Sequence, residues 1–159
     1  MNLYLIRHSI SEKSSFNKKD FERELTEDGK ISIDNSIGIW KEYIDDFDVI
    51  FSSPLIRAVQ TSEIISSKMQ QNKNVIIENN LGTGSRTSDL IEILNSIDKE
   101  NIAVVGHQPD LSIHIYNLCG SGSFNIFFPP AAMAKIVFDK NIRYGSGTLS
   151  FFIPPLTKK

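Results

Sequence analysis

Short apolar runs alternate along the chain with longer segments in which apolar residues recur every three or four positions. The runs at residues 3–6, 48–52, 75–77 and 102–105 are apolar at nearly every position. Such runs are typical of strands that are covered on both faces of a sheet. We therefore expect residues 3–6 to form a buried strand, and all four runs to form strands of a mainly parallel sheet.

Four longer segments have the spacing of helices. In the first of them, apolar residues recur from Ile31 to Ile44, as they do on the buried face of an amphipathic helix. Residues that favour helix starts or ends flank the segments: Thr26 as an N-cap, Pro54 and Pro109 in a first turn, Ser88 or Asp89 as a start, and Gly120 with Gly122 as an end. The pattern predicts four helices.

The alternation of strands and helices predicts an α/β fold, a three-layer α/β/α sandwich with a mainly parallel central sheet. Residues 134–138 and 148–153 add a predicted terminal hairpin, and the polar segment 9–23 is interpreted as a surface loop. No interior linker divides the chain, so we expect a single domain over residues 1–159. Ligands of such sheets bind at the carboxyl ends of the strands.

Composition excludes several classes of protein. A chain of 159 residues and 17.9 kDa has room for one core. Its formal net charge of −2 does not indicate a nucleic-acid or anionic-membrane partner. Cys119 is the single cysteine, which excludes an internal disulfide and a CxxC motif, and three histidines argue against a histidine-rich metal site.

The sequence also argues against a membrane protein. The longest apolar stretch, residues 126–138, contains Pro129, Pro130 and Lys135, and it is shorter than the roughly 20 apolar residues that a bilayer requires. No charged leader precedes the first apolar run. We therefore expect a cytoplasmic protein without a membrane partner.

Chemically active side chains follow three of the predicted strands. Arg7 and His8 leave the first strand, Arg57 lies just beyond the second, and His107 leaves the fourth. Two guanidiniums and two imidazoles at one sheet edge suit a dianionic phosphoryl group, because arginine binds phosphate oxygens in pairs and imidazole acts as nucleophile or donor. No carboxylate cluster for Mg²⁺ accompanies them, so a reaction without a metal or other cofactor is expected.

Several motifs resemble those of the histidine phosphatase superfamily, which has the phosphoglycerate mutase-like fold. They are residues 3–8, Leu25-Thr26 with Gly29, residues 52–61 and residues 104–107, in the order and at the spacings of that family. The short chain and the segment 106–111 are most similar to its SixA-type phosphohistidine phosphatase branch.

The resemblance implies a covalent mechanism. His8 would be the nucleophile, Arg7 and Arg57 would hold the phosphoryl oxygens, and His107 would donate to the same group. His8 must present a neutral nitrogen, so its other ring nitrogen needs an acceptor such as a backbone carbonyl. Arg23 matches a family arginine at the pocket rim, although an ordinary loop charge is an equal alternative.

Two positions depart from the family pattern. Ser9 stands where the family has glycine. If the family glycine serves a close approach of the backbone, a serine at this position alters the rim of the substrate-binding pocket. Most family members also carry an acid two residues after the equivalent of Leu81, where this chain has Thr83. An ester needs that acid to protonate its leaving oxygen, whereas a phosphorylated imidazole takes its proton from solvent. Glu78 or Asp89 remains an alternative acid.

Structural roles are expected for other polar residues. Ser52 and Ser53 are interpreted as turn and capping residues, because no GxSxG motif surrounds them. His114 is interpreted as a structural histidine. The glycines of residues 82–86 lack the pattern of a phosphate loop and are interpreted as a flexible loop.

Three functions remain open. The first is hydrolysis of phosphohistidine on a phosphorelay or phosphotransfer protein, with inorganic phosphate as the product. The second is a phosphatase of a small phosphoester or nucleotide. The third is a phosphate-binding or protein-interaction module with weak or no turnover.

Overall fold

Strands from both ends of the chain form one mixed sheet in the computed structural model, which describes residues 1–69, 75–120, 126–139 and 141–156. Its strands are β1 (Asn2–Arg7), β2 (Val49–Ser52), β3 (Val75–Ile77), β4 (Asn101–Gly106), β5 (Met133–Val137) and β6 (Thr148–Ile153). The spatial order is β3-β2-β4-β1-β5-β6. The first four strands pair in parallel, and β5 and β6 add an antiparallel edge, which confirms the predicted sheet and hairpin.

Helices connect the parallel strands. They are α1 (Glu27–Trp40), α2 (Ile56–Met69), α3 (Thr87–Asn95) and α4 (Asp110–Cys119). Thr26 is the N-cap of α1, and its hydroxyl accepts a hydrogen bond from the Gly29 amide at 3.0 Å, as predicted. Gly120 ends α4 with a φ of 65°, whereas Gly122 lies outside the described residues.

The predicted start of α3 is wrong by one or two residues. The helix begins at Thr87 after Arg86, not at Ser88 or Asp89. Both oxygens of the Asp89 carboxylate accept hydrogen bonds from the Arg86 guanidinium, at 3.0 and 3.1 Å. Asp89 therefore pairs with Arg86, the residue before the helix, and does not cap a backbone amide.

Two apolar cores cover the two faces of the sheet. Alternate residues of β1 separate between them: Leu3 and Leu5 join the core formed with α3 and α4, whereas Tyr4 and Ile6 join the core formed with α1 and α2. This alternation follows from the two-residue period of a strand. The three-layer α/β/α architecture is therefore confirmed. No helix within the described ranges is both long enough and apolar enough to cross a bilayer.

Candidate active site

The carboxyl ends of β1, β2 and β4 lie side by side and continue their pairing into the loops that follow. The His8 amide donates to the Gly106 carbonyl at 3.1 Å, and the Ser53 amide donates to the Val105 carbonyl at 3.0 Å. His107 follows Gly106 directly. The sheet thus fixes the backbone of all three loops at one edge, where the sequence predicts the site.

His8 is held in a defined orientation and tautomer. It is 8% exposed, and its Nδ1 lies 2.7 Å from the Ser9 carbonyl oxygen, to which a ring N–H donates. This contact is the backbone acceptor that a neutral His8 nucleophile requires. Nε2 then carries the lone pair, and it accepts from Nε of Arg57 at 3.3 Å.

His107 lies next to His8, with 5.1 Å between the ring centroids. Its Nε2 is 2.6 Å from the Ser53 hydroxyl, which also accepts a hydrogen bond from the Leu55 amide at 3.4 Å. We assign the hydroxyl as the donor to Nε2, which places the proton of His107 on Nδ1. That Nδ1 is buried and has no hydrogen-bond partner in the described part of the protein, so it is available to donate to a bound oxyanion.

Two arginines, Arg7 and Arg57, supply positive charge next to His8 and His107, and these four side chains form the cluster. Arg57 is the second residue of α2 and is 4% exposed. It donates to His8 through Nε and to Asp20 through Nη1 and Nη2. Arg7 donates from Nη1 to the Phe128 carbonyl at 2.8 Å, and its buried Nε has no partner among the residues that the structure describes.

The site keeps both imidazoles neutral. Burial is the main reason that the pKa of His8 is lowered from 6.5 to about 3. The charges of Arg57 and Arg7, and protonation of His107, lower this pKa further, whereas the hydrogen bond to the Ser9 carbonyl raises it. Burial, followed by the charge of Arg57, lowers the pKa of His107 to about 4. His8 therefore keeps its lone pair at pH 7.

Arg23 and Arg57 bind the same carboxylate, that of Asp20. Its Nη1 donates to one carboxylate oxygen of Asp20 at 2.8 Å, and Arg57 donates to the other at 3.0 Å. Nε and Nη2 of Arg23 are bound to the Glu12 carbonyl and the Ser11 hydroxyl. Arg23 is therefore joined to the cluster through a carboxylate and does not contact His8 or His107 in the described structure.

Ser9 belongs to the framework beneath the cluster. It is completely buried, its amide donates to Thr61 at 3.1 Å, and its hydroxyl donates to the Gly29 carbonyl at 2.7 Å. A Cβ on Gly29 would collide with the Ile10 carbonyl, so the loop and α1 approach closely here. The Ser9 hydroxyl is thus directed away from a substrate, and its backbone carbonyl orients His8.

Neither of the two alternative acids contacts the imidazoles or arginines of the cluster. The carboxylate of Glu78 accepts from the Asn80 amide, and that of Asp89 pairs with Arg86. Thr83, at the position of the family acid, is exposed. Within the described ranges, the carboxylate in contact with the cluster is that of Asp20.

His114 has the structural role that the sequence predicts. It is 1% exposed, and its ring nitrogens lie 3.0 and 2.9 Å from the hydroxyls of Ser85 and Thr87. Asp110 accepts from the Gly84 amide at 2.8 Å in the same region. Together these contacts tie the segment of residues 82–86 to α4, so it is more constrained than a flexible loop.

Two residues of the site have functions that sequence reasoning missed. Ser53 does more than form a turn, because its hydroxyl lies 2.6 Å from Nε2 of His107. Asp20 lies in the segment predicted only as a polar loop, yet it binds Arg57. The spacing of three residues between Asp20 and Arg23 indicates a pair between those two residues, but no pattern in the sequence indicates the contact with Arg57. The assembled cluster can bind a tetrahedral dianion and attack it from His8 Nε2.

Similarity to known proteins agrees with this geometry. A family model of the histidine phosphatase superfamily (branch 1) matches residues 3–83. An uncharacterised protein of Picosynechococcus sp. is 29% identical over 113 residues, which are 70% of this chain and 68% of that protein.

Solved structures share the fold at low identity. The protein histidine phosphatase SixA complexed with tungstate is 19% identical, with 96% of each chain covered and a TM-score of 0.82. A putative SixA of Agrobacterium tumefaciens is 20% identical, with 97% of each chain covered and a TM-score of 0.78. The alpha-ribazole phosphatase of Shigella flexneri is 20% identical, covering 97% of this chain and 96% of that one, with a TM-score of 0.74. The family model covers half of the chain, and the motifs and the sheet of the chain agree with it. The chain therefore belongs to branch 1 of the histidine phosphatase superfamily.

Proposed function

We propose that the protein is a metal-independent phosphatase that hydrolyses phosphohistidine on a protein through a covalent intermediate on His8. The observation that carries the proposal is the neutral His8 ring, with Nδ1 bound to the Ser9 carbonyl and Nε2 at 3.3 Å from Nε of Arg57. A nitrogen lone pair beside a guanidinium is suited to phosphoryl transfer, because the cation stabilises the oxygens around the phosphorus under attack.

Substrate binding in this mechanism uses donors that the protein leaves available. Nε of Arg7 and Nδ1 of His107 are buried without a partner in the described part of the chain, and Arg57 has two N–H groups beyond its three protein contacts. We assign these donors to the oxygens of a phosphoryl group bound next to His8. Two arginine charges balance the dianion, so the electrostatic work assigned to a metal in other phosphatases is done by side chains.

The reaction proceeds in two displacements. His8 Nε2 gives up its hydrogen bond from Nε of Arg57 and attacks phosphorus, and a new P–N bond forms. The P–N bond of the substrate breaks, and its electron pair returns to a ring that is already protonated on the distal nitrogen, so neutral imidazole departs. Water then attacks the phosphorus of phospho-His8. The P–N bond to His8 breaks, inorganic phosphate leaves, and the neutral imidazole is restored. The charge on three equatorial oxygens is stabilised by the same donors in both steps.

The leaving group decides the substrate class. Thr83 stands at the position of the usual acid, and neither Glu78 nor Asp89 contacts the cluster. An ester leaves as an alkoxide and loses the roughly 10²–10⁴-fold benefit of a general acid. A phosphohistidine leaves as imidazole after protonation on its distal nitrogen, so it does not need that acid. A phosphorelay or phosphotransfer protein of the cytoplasm is therefore the proposed partner.

Activity on a small phosphoester or nucleotide is the second candidate, since an alpha-ribazole phosphatase shares the fold with a TM-score of 0.74. The discriminating experiment compares phosphate release from a phosphohistidine-bearing protein with release from an alkyl phosphate. We expect a much higher kcat/KM on the phosphohistidine protein, and loss of that activity in His8→Ala. Faster hydrolysis of the alkyl phosphate would favour the second candidate, and unchanged turnover by His8→Ala would exclude the mechanism.

A binding module without turnover is tested in the same preparation. Such a module binds tungstate or phosphate tightly, releases no phosphate from any substrate, and stays inactive after Ser9→Gly. We expect turnover in the wild-type protein and little gain from Ser9→Gly, because the Ser9 hydroxyl is bound to Gly29 beneath the site.

A further inference from the structure

Asp20 forms an ion pair with the arginine that borders the nucleophile. Its backbone carbonyl accepts from Nη1 of Arg57 at 2.7 Å, and its carboxylate accepts from Nη2 at 3.0 Å. A guanidinium has five N–H groups, and the third contact of Arg57, through Nε to His8, leaves two of them unused. Arg57 can therefore bind Asp20 and a phosphoryl group at the same time.

A second arginine fixes the position of this carboxylate. Arg23 donates from Nη1 to the other carboxylate oxygen at 2.8 Å, and Arg23 is itself bound to the Glu12 carbonyl and the Ser11 hydroxyl. The Asp20 side chain is nevertheless 56% exposed. It is thus held beside the phosphoryl site while remaining accessible to the part of a substrate that projects from the pocket.

The same contacts keep Asp20 ionised. Hydrogen bonding from Arg23, and then from Arg57, lowers the pKa of its carboxyl group from the usual value, against the opposing effect of burial. An ionised carboxylate cannot protonate the leaving oxygen of an ester. It can accept a hydrogen bond from an N–H group and stabilise a positive charge.

We propose that Asp20 is a specificity-determining residue that selects substrates with a protonated imidazole as the leaving group. This inference rests on the proposed function and adds a residue that recognises the leaving group. The distal N–H of the phosphorylated ring donates to the Asp20 carboxylate. When His8 Nε2 bonds to phosphorus, the substrate P–N bond breaks, its electron pair returns to the ring, and neutral imidazole departs with the distal proton.

Esters meet the opposite electrostatic effect. Their leaving oxygen gains negative charge in the transition state, and the carboxylate of Asp20 repels it. One side chain thus favours the phosphoramidate and disfavours the ester, in a site where neither Glu78 nor Asp89 contacts the cluster.

The test uses two small substrates that share the phosphoryl group and differ in the leaving group, N-phosphoimidazole and p-nitrophenyl phosphate. In Asp20→Asn, kcat/KM for N-phosphoimidazole should fall about tenfold, the effect of losing one hydrogen bond to a charged group. The value for p-nitrophenyl phosphate should rise about twofold, as expected when a half-exposed like charge is removed. Tungstate binding by the variant establishes that the phosphoryl site is intact.

Asp34→Asn is the matched control. Asp34 is 51% exposed and pairs with Lys68 at 3.1 Å between α1 and α2, so this change removes a similar surface ion pair far along the helix from the cluster. It should leave both rates unchanged.

Each remaining outcome overturns a defined part of the inference. An equal fall on both substrates in Asp20→Asn would mean that Asp20 only positions Arg57. Unchanged rates on both would mean that Asp20 does not contact the leaving group. A wild-type protein that hydrolyses p-nitrophenyl phosphate and not N-phosphoimidazole would overturn the proposed function, and the selection assigned to Asp20 with it.

Discussion

Replacing Arg57 by lysine retains a positive charge at the site and removes the planar fork. In the wild-type protein the guanidinium contacts His8 through Nε and Asp20 through both Nη atoms, at 3.3, 2.7 and 3.0 Å. It still has two N–H groups for phosphoryl oxygens. A lysine ammonium carries its three N–H groups on one atom and cannot reach all of these partners together.

The cost follows from the hydrogen bonds that are lost. A hydrogen bond to a charged group contributes about 1.5–3 kcal/mol. Losing one or two such bonds to the transition state amounts to about 3 kcal/mol, which corresponds to a roughly 100-fold fall in kcat/KM. The assay is phosphate release from N-phosphoimidazole at substrate concentrations well below KM.

Arg86→Lys is the control for this prediction. The Arg86 side chain is 77% exposed, and it forms a surface ion pair with Asp89 at 3.0 Å. The same chemical change should therefore leave kcat/KM within about twofold, because surface ion pairs contribute little. An Arg57→Lys protein that is folded and retains activity within about threefold of wild type would refute the assignment of Arg57 to phosphoryl binding.

Three further predictions follow from the burial of His8, the packing around Gly29 and the tautomer of His107. The pKa of His8 is lowered from 6.5 to about 3. Between these pH values the unfolded chain binds a proton at this residue and the folded protein does not, so the free energy of unfolding falls as the pH drops from about 6.5 towards 3. In urea titrations, the loss of stability between pH 7 and about pH 4.5 should therefore be smaller for His8→Asn than for the wild type, by about 3 kcal/mol. Gly29→Ala should lower Tm because its Cβ meets a backbone carbonyl, whereas Gly38→Ala, with open space around its Cβ, should not. Ser53→Ala should lower kcat about tenfold with little change in KM, because His107 loses the donor that places its proton on Nδ1; an unchanged kcat would contradict that tautomer.

Local pattern is sufficient to predict most of the fold. Buried parallel strands are apolar at successive positions, and for this reason the predicted runs for β1, β2 and β4 lie within one or two residues of the observed bounds. The run for β3 also matches the observed bounds, although β3 is an edge strand in which Ile76 and Ile77 are exposed. The position of β5 beside β1 is not predictable in this way, because strand order depends on packing between distant parts of the chain. The start of α3 is predicted one or two residues too late, because Asp89 pairs with Arg86 and caps no backbone amide.

The site is predictable where the strands position it and unpredictable where a loop does. His8 and His107 follow adjacent parallel strands, so the sheet brings them together. The path of residues 9–23 depends on contacts with α1 and α2, and no local pattern indicates that Asp20 reaches Arg57 or that the Ser9 hydroxyl binds Gly29. Both contacts join residues far apart in the chain.

Identification of the phosphorylated residue during turnover tests the central claim most directly. Protein mixed with N-phosphoimidazole is quenched within milliseconds in base, which preserves phosphohistidine, and is then digested and analysed by mass spectrometry. The mechanism predicts one phosphoryl group on His8, absent from the His8→Ala protein and lost on brief exposure to acid. Turnover with no phosphoryl group on His8, or with one on another residue, would contradict the account.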